Sequence, residues 1–315
     1  MNWPNVFIII LNWNGLKDTL ECLVSVSGLN YPNFEVVVVD NGSTDDPCEL
    51  IAERFPQVIT ISNKENLGFS GGCNAGITYA LNHKADYVWL LNNDTVVHAD
   101  ALLNLVAESE KDARIGIAGS KVYYHDSPRE LWFAGSHIDW WHGFTGHDGM
   151  GKIDVGQFDT VKDVDRVTGC SMLVKSEVCS TTGILDEKFF LYVEEVDWCV
   201  RAAKTGFRCV FVPSSAVYHK VSASASKAGI LSALFEYYNT RNFLYLVKKS
   251  LTFPARETIL LKLILSKVRW EKRNLLRAVY SLINPGARLE PAMSPMLYAI
   301  RDFLLNRMGK ADYKF

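Results

Sequence analysis

The sequence predicts an α/β fold with a mostly parallel central sheet flanked by helices, followed by a helical C-terminal extension. Three observations carry that prediction. Short β-branched runs alternate with amphipathic helical patterns through the first 120 residues. The runs are near-continuously apolar, as strands covered on both faces are. Four of them end in a polar cluster, at the point where open α/β sheets bind their ligands.

The elements follow in order. Residues 6–11 ("VFIIIL") form the first strand and 16–26 the first helix. A strand at 34–39 and another at 58–62 bracket a helix at 47–55. A helix at 72–82 leads to the strand at 87–91 ("YVWLL"), and a helix at 99–112 leads to the strand at 115–120. Residues 121–170, rich in Gly, His and Trp, read as strands and a mobile loop. "CSMLVKSEV" is a strand entering a turn or helix, and 194–205 is a helix that Gly206 ends. "RCVFVP" is a further strand, with "AVYHK" after it. From residue 228 the pattern is helical, with breaks at Pro254, Pro285 and Pro291. The chain thus divides into a domain at 1–227 and a helical extension at 228–315.

Of the 315 residues, 48% are hydrophobic and 22% charged, the composition of a soluble globular protein. The net charge of −2 conceals an asymmetry: residues 231–315 hold 15 Lys+Arg against 6 Asp+Glu, and residues 1–230 hold 18 against 29. The acidic body argues against nucleic acid as a partner, and the basic tail points to something anionic. Seven cysteines without a C-x-x-C pair read as reduced core thiols of a cytosolic protein. "MNWPNVFIIILNW" lacks the basic n-region of a signal peptide. No run reaches the ~18 uninterrupted apolar residues of a membrane span.

The polar clusters carry the chemistry. Asn12 and Asn14 follow the first strand, and Asp40, Asn41 and Ser43 the second. Asn66, Gly68, Phe69, Gly72 and Asn74 lie in "ENLGFSGGCNAGI" after the third, and Asn92, Asn93 and Asp94 follow the fourth. A strand-tip carboxylate such as Asp40 either closes a turn or accepts a hydrogen bond from a nucleotide base. The glycine-rich stretch opens a helix whose N–H groups could face an anion. It follows the third strand, so it does not form the dinucleotide-binding G-x-G-x-x-G. Asp94 either shapes a turn or supplies a hard oxygen ligand of the kind Mg²⁺ or Mn²⁺ prefers, with His219 as a candidate second ligand. Glu194, Glu195 and Asp197 are favourable helix N-terminal charge or include a general base. A sugar-phosphate nucleotidyltransferase needs a Gly-rich basic loop directly after the first strand, and "NWNGLKD" does not supply one.

In order and spacing, "LNWNG", "VVDNGSTD", "NLGFSGGCNAGI", "LLNNDT", "GCSMLVKSEV", "FFLYVEEVDWCVRAAKTGF", "VYHK" and "YYNTRN" resemble the inverting family 2 glycosyltransferases. The likeness is to the rhamnosyltransferase- and galactofuranosyltransferase-like branch, and covers roughly residues 5–250. It implies a GT-A fold, the nucleotide-diphospho-sugar transferase fold. It further implies that Asp40 contacts the nucleotide base beside Asn12, with Asn14, Asn41, Ser43, Asn66, Gly68, Phe69, Gly72, Asn74, Asn92 and Asn93 on the donor side. Asp94 matches the second carboxylate of the family's metal-binding D-x-D element, whose first Asp is here Asn92. His219 matches a metal-ligating histidine, and Glu195 the catalytic base. Glu194, Asp197, Trp198, Gly169 and Cys170 fall on the acceptor side. The implied donor is dTDP-L-rhamnose, with UDP-linked galactofuranose or N-acetylhexosamine as alternatives. The implied acceptor is a hydroxyl of a glycan or polyprenyl-linked sugar in cell-surface polysaccharide synthesis. A catalytically inactive glycan-binding scaffold is a further class, which would have lost Glu195 or Asp94.

"RETILLKLILSKVRWEKRNLLRAVYSLI" in the tail has two readings. One is a helix packed on the body with a solvated basic face. The other is a helix lying in a membrane interface, with Trp270 and Tyr280 at headgroup level and basic residues near anionic lipid. A cytoplasmic protein, peripheral on the inner face of the membrane, is the matching location.

Overall fold

The computed structural model describes residues 3–221, 228–283 and 294–313. The expected breaks at Pro285 and Pro291, and the side chain of Tyr280, lie outside the described residues. The chain forms two compact units: residues 1–138 with 145–226, and residues 139–144 with 227–315.

The first unit begins with β1 (Val6–Asn12), α1 (Leu16–Ser27), β2 (Phe34–Asp40), α2 (Pro47–Arg54), β3 (Ile59–Ser62), α3 (Gly68–Asn82) and β4 (Tyr87–Asn92). Next come β5 (Thr95–Val97), α4 (Ala101–Ser109), β6 (Ile115–Tyr124) and β7 (Ser127–Phe133). The short strands β8 (Ile138–Asp139), β9 (Phe144–Thr145) and β10 (Lys162–Asp163) precede β11 (Ser171–Lys175), α5 (Ser176–Thr182), α6 (Glu194–Lys204) and β12 (Arg208–His219).

The main sheet runs β10-β12-β6-β11-β4-β1-β2-β3. The β3-β2-β1-β4 half is parallel throughout. β11 enters antiparallel between β4 and β6, while β12 lies parallel to β6. The apolar runs fill both faces, with Val6 through Ile10 essentially inaccessible to solvent. Two strand registers bring polar residues together. Asn12 pairs with Asp40 at the carboxyl ends of β1 and β2. β5 pairs with the far end of β12, so Thr95 stands opposite His219.

α3 packs closely on β1. A Cβ on Gly76 would lie 2.5 Å from Ile9 Cγ2, and one on Gly72 would collide with Leu11. These glycines let the helix approach the strand. α3 starts at Gly68, four residues before the expected position, because its first turn is capped from a distant loop. Within 121–170, β7 folds back on β6, and buried Lys121 pairs with Asp154 (2.9 Å) and Asp159 to hold the loop beyond it.

The second unit contains α7 (Ala228–Ser250), α8 (Ala255–Ile283) and α9 (Pro295–Leu304). Arg241 of α7 is buried against the rings of Tyr237 and Tyr238, and donates to the Gly309 carbonyl at 2.8 Å.

Candidate active site

The tips of β1 and β2 are clasped by their own side chains. Asn12 Nδ2 donates to Asp40 Oδ1 (3.2 Å) and Ser43 Oγ (3.1 Å), and Ser43 Oγ donates to the same Asp40 oxygen. Asp40 Oδ2 takes the Ser43 amide at a long 3.4 Å, which leaves it able to accept a stronger donor. Asn14, left-handed at φ 52°, accepts from the Thr44 amide at 2.9 Å. Behind them buried Thr19 donates to Asn12 Oδ1 (2.8 Å) and accepts from Asn93 Nδ2 (3.0 Å). Asn93 therefore ties the end of β4 to the start of α1.

A second amide network joins β2 to the glycine-rich loop. Asn41 Nδ2 donates to Asn66 Oδ1 (3.2 Å) and Gly68 O (3.0 Å), while its own Oδ1 accepts from Asn63 and Leu67. The first amides of α3 do not face an open anion site. Gly68 N donates to Asn66 Oδ1, and Phe69 N and Ser70 N donate to the carbonyl of Phe190. Phe190 belongs to the loop before α6, where Phe190, Tyr192 and Val193 all have positive φ. A β-branched residue at φ 73° is a true outlier, and such strain persists only where the surroundings impose it. Asn74 also faces this segment. Its Nδ2 donates to Leu185 O and Glu187 Oε1, and its Oδ1 accepts from the Leu185 amide. Gly72 lies under β1. Neither points at the cradle formed by Asn12, Asp40 and Ser43.

Asn93 and Asp94 form a tight turn from β4 into β5, so the turn and the site coincide. The β5–β12 register brings His219 Nε2 to 3.0 Å from Asp94 Oδ1, with both side chains largely buried. Burial disfavours charge on His219, but neighbouring Cys170 and Asp94 outweigh it and pull its pKa up to about 10. Its other nitrogen, Nδ1, is buried with no hydrogen-bond partner among the described residues. Asn92 Nδ2 stands 3.5 Å from His219 Nε2. No cluster of three or more His, Cys, Asp or Glu among the described residues forms a ready metal cage. One carboxylate and one imidazole nevertheless fit Mg²⁺ or Mn²⁺ in the manner of nucleotide sites, where water and phosphate oxygens complete the shell.

Glu195, at the start of α6, accepts from Arg166 Nη1 at 3.1 Å. Arg166 is 3% exposed, lies over the Phe133 ring, and keeps a buried Nε with no partner among the described residues. Its neighbour Glu194 is buried too. Burial first, then the charge of Glu195, raise the Glu194 pKa well above the usual carboxylate range. Asp197 and Trp198, expected on the acceptor side, are instead in the core. Asp197 is fully buried and paired with Arg201 (2.7 Å), and Trp198 Nε1 donates to Gly183 O. Helical spacing decides this: Glu194, Asp197 and Trp198 share the inward stripe of α6, while Glu195 lies off it.

One dipeptide joins the two halves. A Cβ on Gly169 would lie 3.3 Å from the Phe69 ring and 3.7 Å from Glu195 Cβ. Cys170, the next residue, acts on His219 and accepts the Asn92 amide at its carbonyl. The carboxylate–imidazole pair and the Glu195–Arg166 pair therefore flank the same short segment. Trp132 and His147 close the surround, Trp132 meeting both His147 and His219 edge-on. Burial, then the charge of Arg166, pull the pKa of His147 down to about 4. Arg166, Trp132 and Thr19 were absent from the sequence-derived site, and His147 was expected only as part of the loop at 140–147 that shapes specificity. The only signal for Arg166 was a single cation in "DVDRVTGCSM", directly ahead of the segment bordering the site.

The family model described as "Glycosyl transferase family 2" matches residues 7–176. A low-salt glycan biosynthesis hexosyltransferase of Haloferax volcanii is 29% identical over 62% of this chain and 61% of its own length. A dTDP-rhamnosyl transferase of Shigella flexneri is 23% identical over 81% of this chain and 85% of the relative. An N-acetylglucosaminyl-diphospho-decaprenol L-rhamnosyltransferase of Mycobacterium tuberculosis is 26% identical over 65% and 72%. The chain spans 25% of the length of an uncharacterized Sinorhizobium fredii protein that it matches at 28% identity. A mannosyltransferase from Pyrobaculum calidifontis, solved with GDP-Man and Mn²⁺, superposes with a TM-score of 0.58 at 15% identity, over 98% of this chain and 88% of that one. The fold is GT-A.

Proposed function

From the premise that this chain belongs to glycosyl transferase family 2, we propose that it is an inverting, metal-dependent transferase. It moves a sugar, with L-rhamnose on dTDP as the leading donor, to a hydroxyl of a glycan or lipid-linked acceptor in cell-envelope polysaccharide synthesis. The observation that carries this reading is the meeting of Asp94–His219 with Glu195–Arg166 around Gly169 and Cys170. The names of two relatives support the donor reading.

These roles follow the family resemblance, and the geometry supports them. Asp40 Oδ2 accepts a hydrogen bond from the base, while Asn12, Asn14 and Ser43 hold the loops that frame it. Asp94 and His219 would hold Mg²⁺ or Mn²⁺, which would supply Lewis-acid stabilisation of the diphosphate. His219 would ligate such an ion as the neutral imidazole. Arg166 engages Glu195 Oε1, so Oε2 receives the proton of the acceptor hydroxyl as its oxygen attacks the anomeric carbon and the bond from that carbon to the diphosphate oxygen breaks, releasing the nucleoside diphosphate. The transition state is oxocarbenium-like, and a single displacement inverts the configuration.

The test is calorimetry of the full chain with dTDP-L-rhamnose and a panel of UDP- and GDP-sugars, in Mn²⁺ and in EDTA, then transfer assays. Binding of dTDP-rhamnose that needs both Mn²⁺ and Asp94, with Glu195→Gln binding donor but not transferring it, is the expected result. Binding indifferent to metal and to Asp94→Ala removes the metal from the reading. Failure to bind any nucleotide sugar overturns it.

A further inference from the structure

α8 carries apolar residues on two opposite faces. Leu263, 3% exposed, points inward within its unit, where a Cβ on Gly143 would touch its methyl groups. About half a turn away on the helical wheel stand Leu261 (60% exposed) and Leu265 (49%), flanked by half-buried Ile264 and Val268. The i, i+3, i+4, i+7 spacing of these four makes one continuous stripe. A helix that merely packed on its own unit would carry charge there. Instead Lys262 and Arg269 stand along one side of the stripe. From Ala255 to Trp270 the helix holds Arg256, Lys262, Lys267 and Arg269 against one acid, Glu257, which Arg256 pairs.

The aromatic residues of the same unit agree. Phe253, two residues before α8, is 75% exposed. Trp141 and Trp270 are each about half exposed. Lys262 Nζ lies 3.9 Å from the Trp141 ring centroid and donates to that residue's carbonyl at 2.7 Å, which presents an indole and a cation together beside α8. Exposed Trp and Phe with flanking Lys and Arg around an apolar stripe are the chemistry of a lipid headgroup boundary.

We propose that the outward face of α8 docks on an anionic lipid surface, with Leu261, Ile264, Leu265 and Val268 entering the acyl boundary and Lys262 and Arg269 meeting the headgroups. Charge selects this occupant. A second copy laid against the stripe would bring like charges together, whereas anionic lipid attracts each basic residue. Among the described residues no helix is long and apolar enough to cross a membrane, so the contact is peripheral. The inference uses the second unit alone and stands independently of the catalytic reading.

The test is sedimentation of the full-length protein with phosphatidylcholine vesicles, with and without phosphatidylglycerol. Binding is expected only with phosphatidylglycerol, weakening as salt is raised. Leu261→Ser/Leu265→Ser should lower partitioning by about thirtyfold. Lys262→Glu/Arg269→Glu should abolish the preference for phosphatidylglycerol. Both variants should keep the wild-type circular dichroism and nucleotide-sugar binding, since none of these residues belongs to the site. Wild-type partitioning by the double-serine variant overturns the proposal. So does a dimer in light scattering that the serine variant dissolves while wild type ignores vesicles.

Discussion

Deleting either partner of the Arg166–Glu195 pair should cost stability unequally. The guanidinium is 3% exposed and the carboxylate 15%, at an N···O distance of 3.1 Å. Glu195→Ala leaves a cation buried beside Phe133, with Nε already lacking a partner among the described residues. Breaking a buried pair in this way costs about 3–5 kcal/mol. Arg166→Met removes the more deeply buried charge and leaves a carboxylate that still reaches water, so about 1–2 kcal/mol is expected. The double variant should fall short of the sum of the singles by about 1–3 kcal/mol, the interaction energy of contacting residues. Urea unfolding monitored by circular dichroism, with equal slopes for all four proteins, measures each quantity. Two results refute the reasoning: both singles within about 0.5 kcal/mol of wild type, or Arg166→Met costing more than Glu195→Ala, since surface-like pairs behave that way.

Three further outcomes are expected. Glu195→Gln should lower kcat by about 10²–10⁴-fold with little change in donor affinity, and an unchanged kcat removes Glu195 as the base. Glu194 holds its proton more tightly in the fold than in the unfolded chain, so wild-type stability should fall as pH rises above about 4.5, where the unfolded glutamate ionises first. Glu194→Gln should flatten that slope and unfold later than wild type at neutral pH. His147 is the mirror case: its folded pKa of about 4 against 6.5 makes the unfolded chain take up a proton first on acidification. Stability should therefore drop between those pH values, and His147→Gln should remove that part of the acid dependence.

Much of the scaffold was legible because its determinants are local. The "VFIIIL" and "VVVV" runs can only be covered strands, and the residues ending them, Asn12 and Asp40, land side by side because parallel strands in register deliver their tips to one edge. Asp94 and His219 lie 125 residues apart; ligand chemistry made His219 one candidate partner, and the resemblance matched it to a metal-ligating histidine. What joins them is the β5–β12 register, which no local pattern encodes. Asn74 and Trp198 show the opposite failure. An amide and an indole look like ligand contacts in sequence, yet each is consumed by carbonyls of residues 183–185. Arg166 was invisible for a third reason: a cation just after two aspartates in "DVDRVTG" reads as surface charge until Glu195 is placed beside it.

The Phe190 carbonyl that closes the first turn of α3 has a consequence for how the protein is made. The helix bearing the glycine-rich loop leaves the ribosome well before the segment that caps it, and Asn74 waits 111 residues for Leu185. Until Phe190 arrives the amides of Phe69 and Ser70 have only water to bind, so a nascent chain ending before residue 190 carries a frayed α3. The first turn of α3 is thus completed only when the loop ahead of α6 arrives.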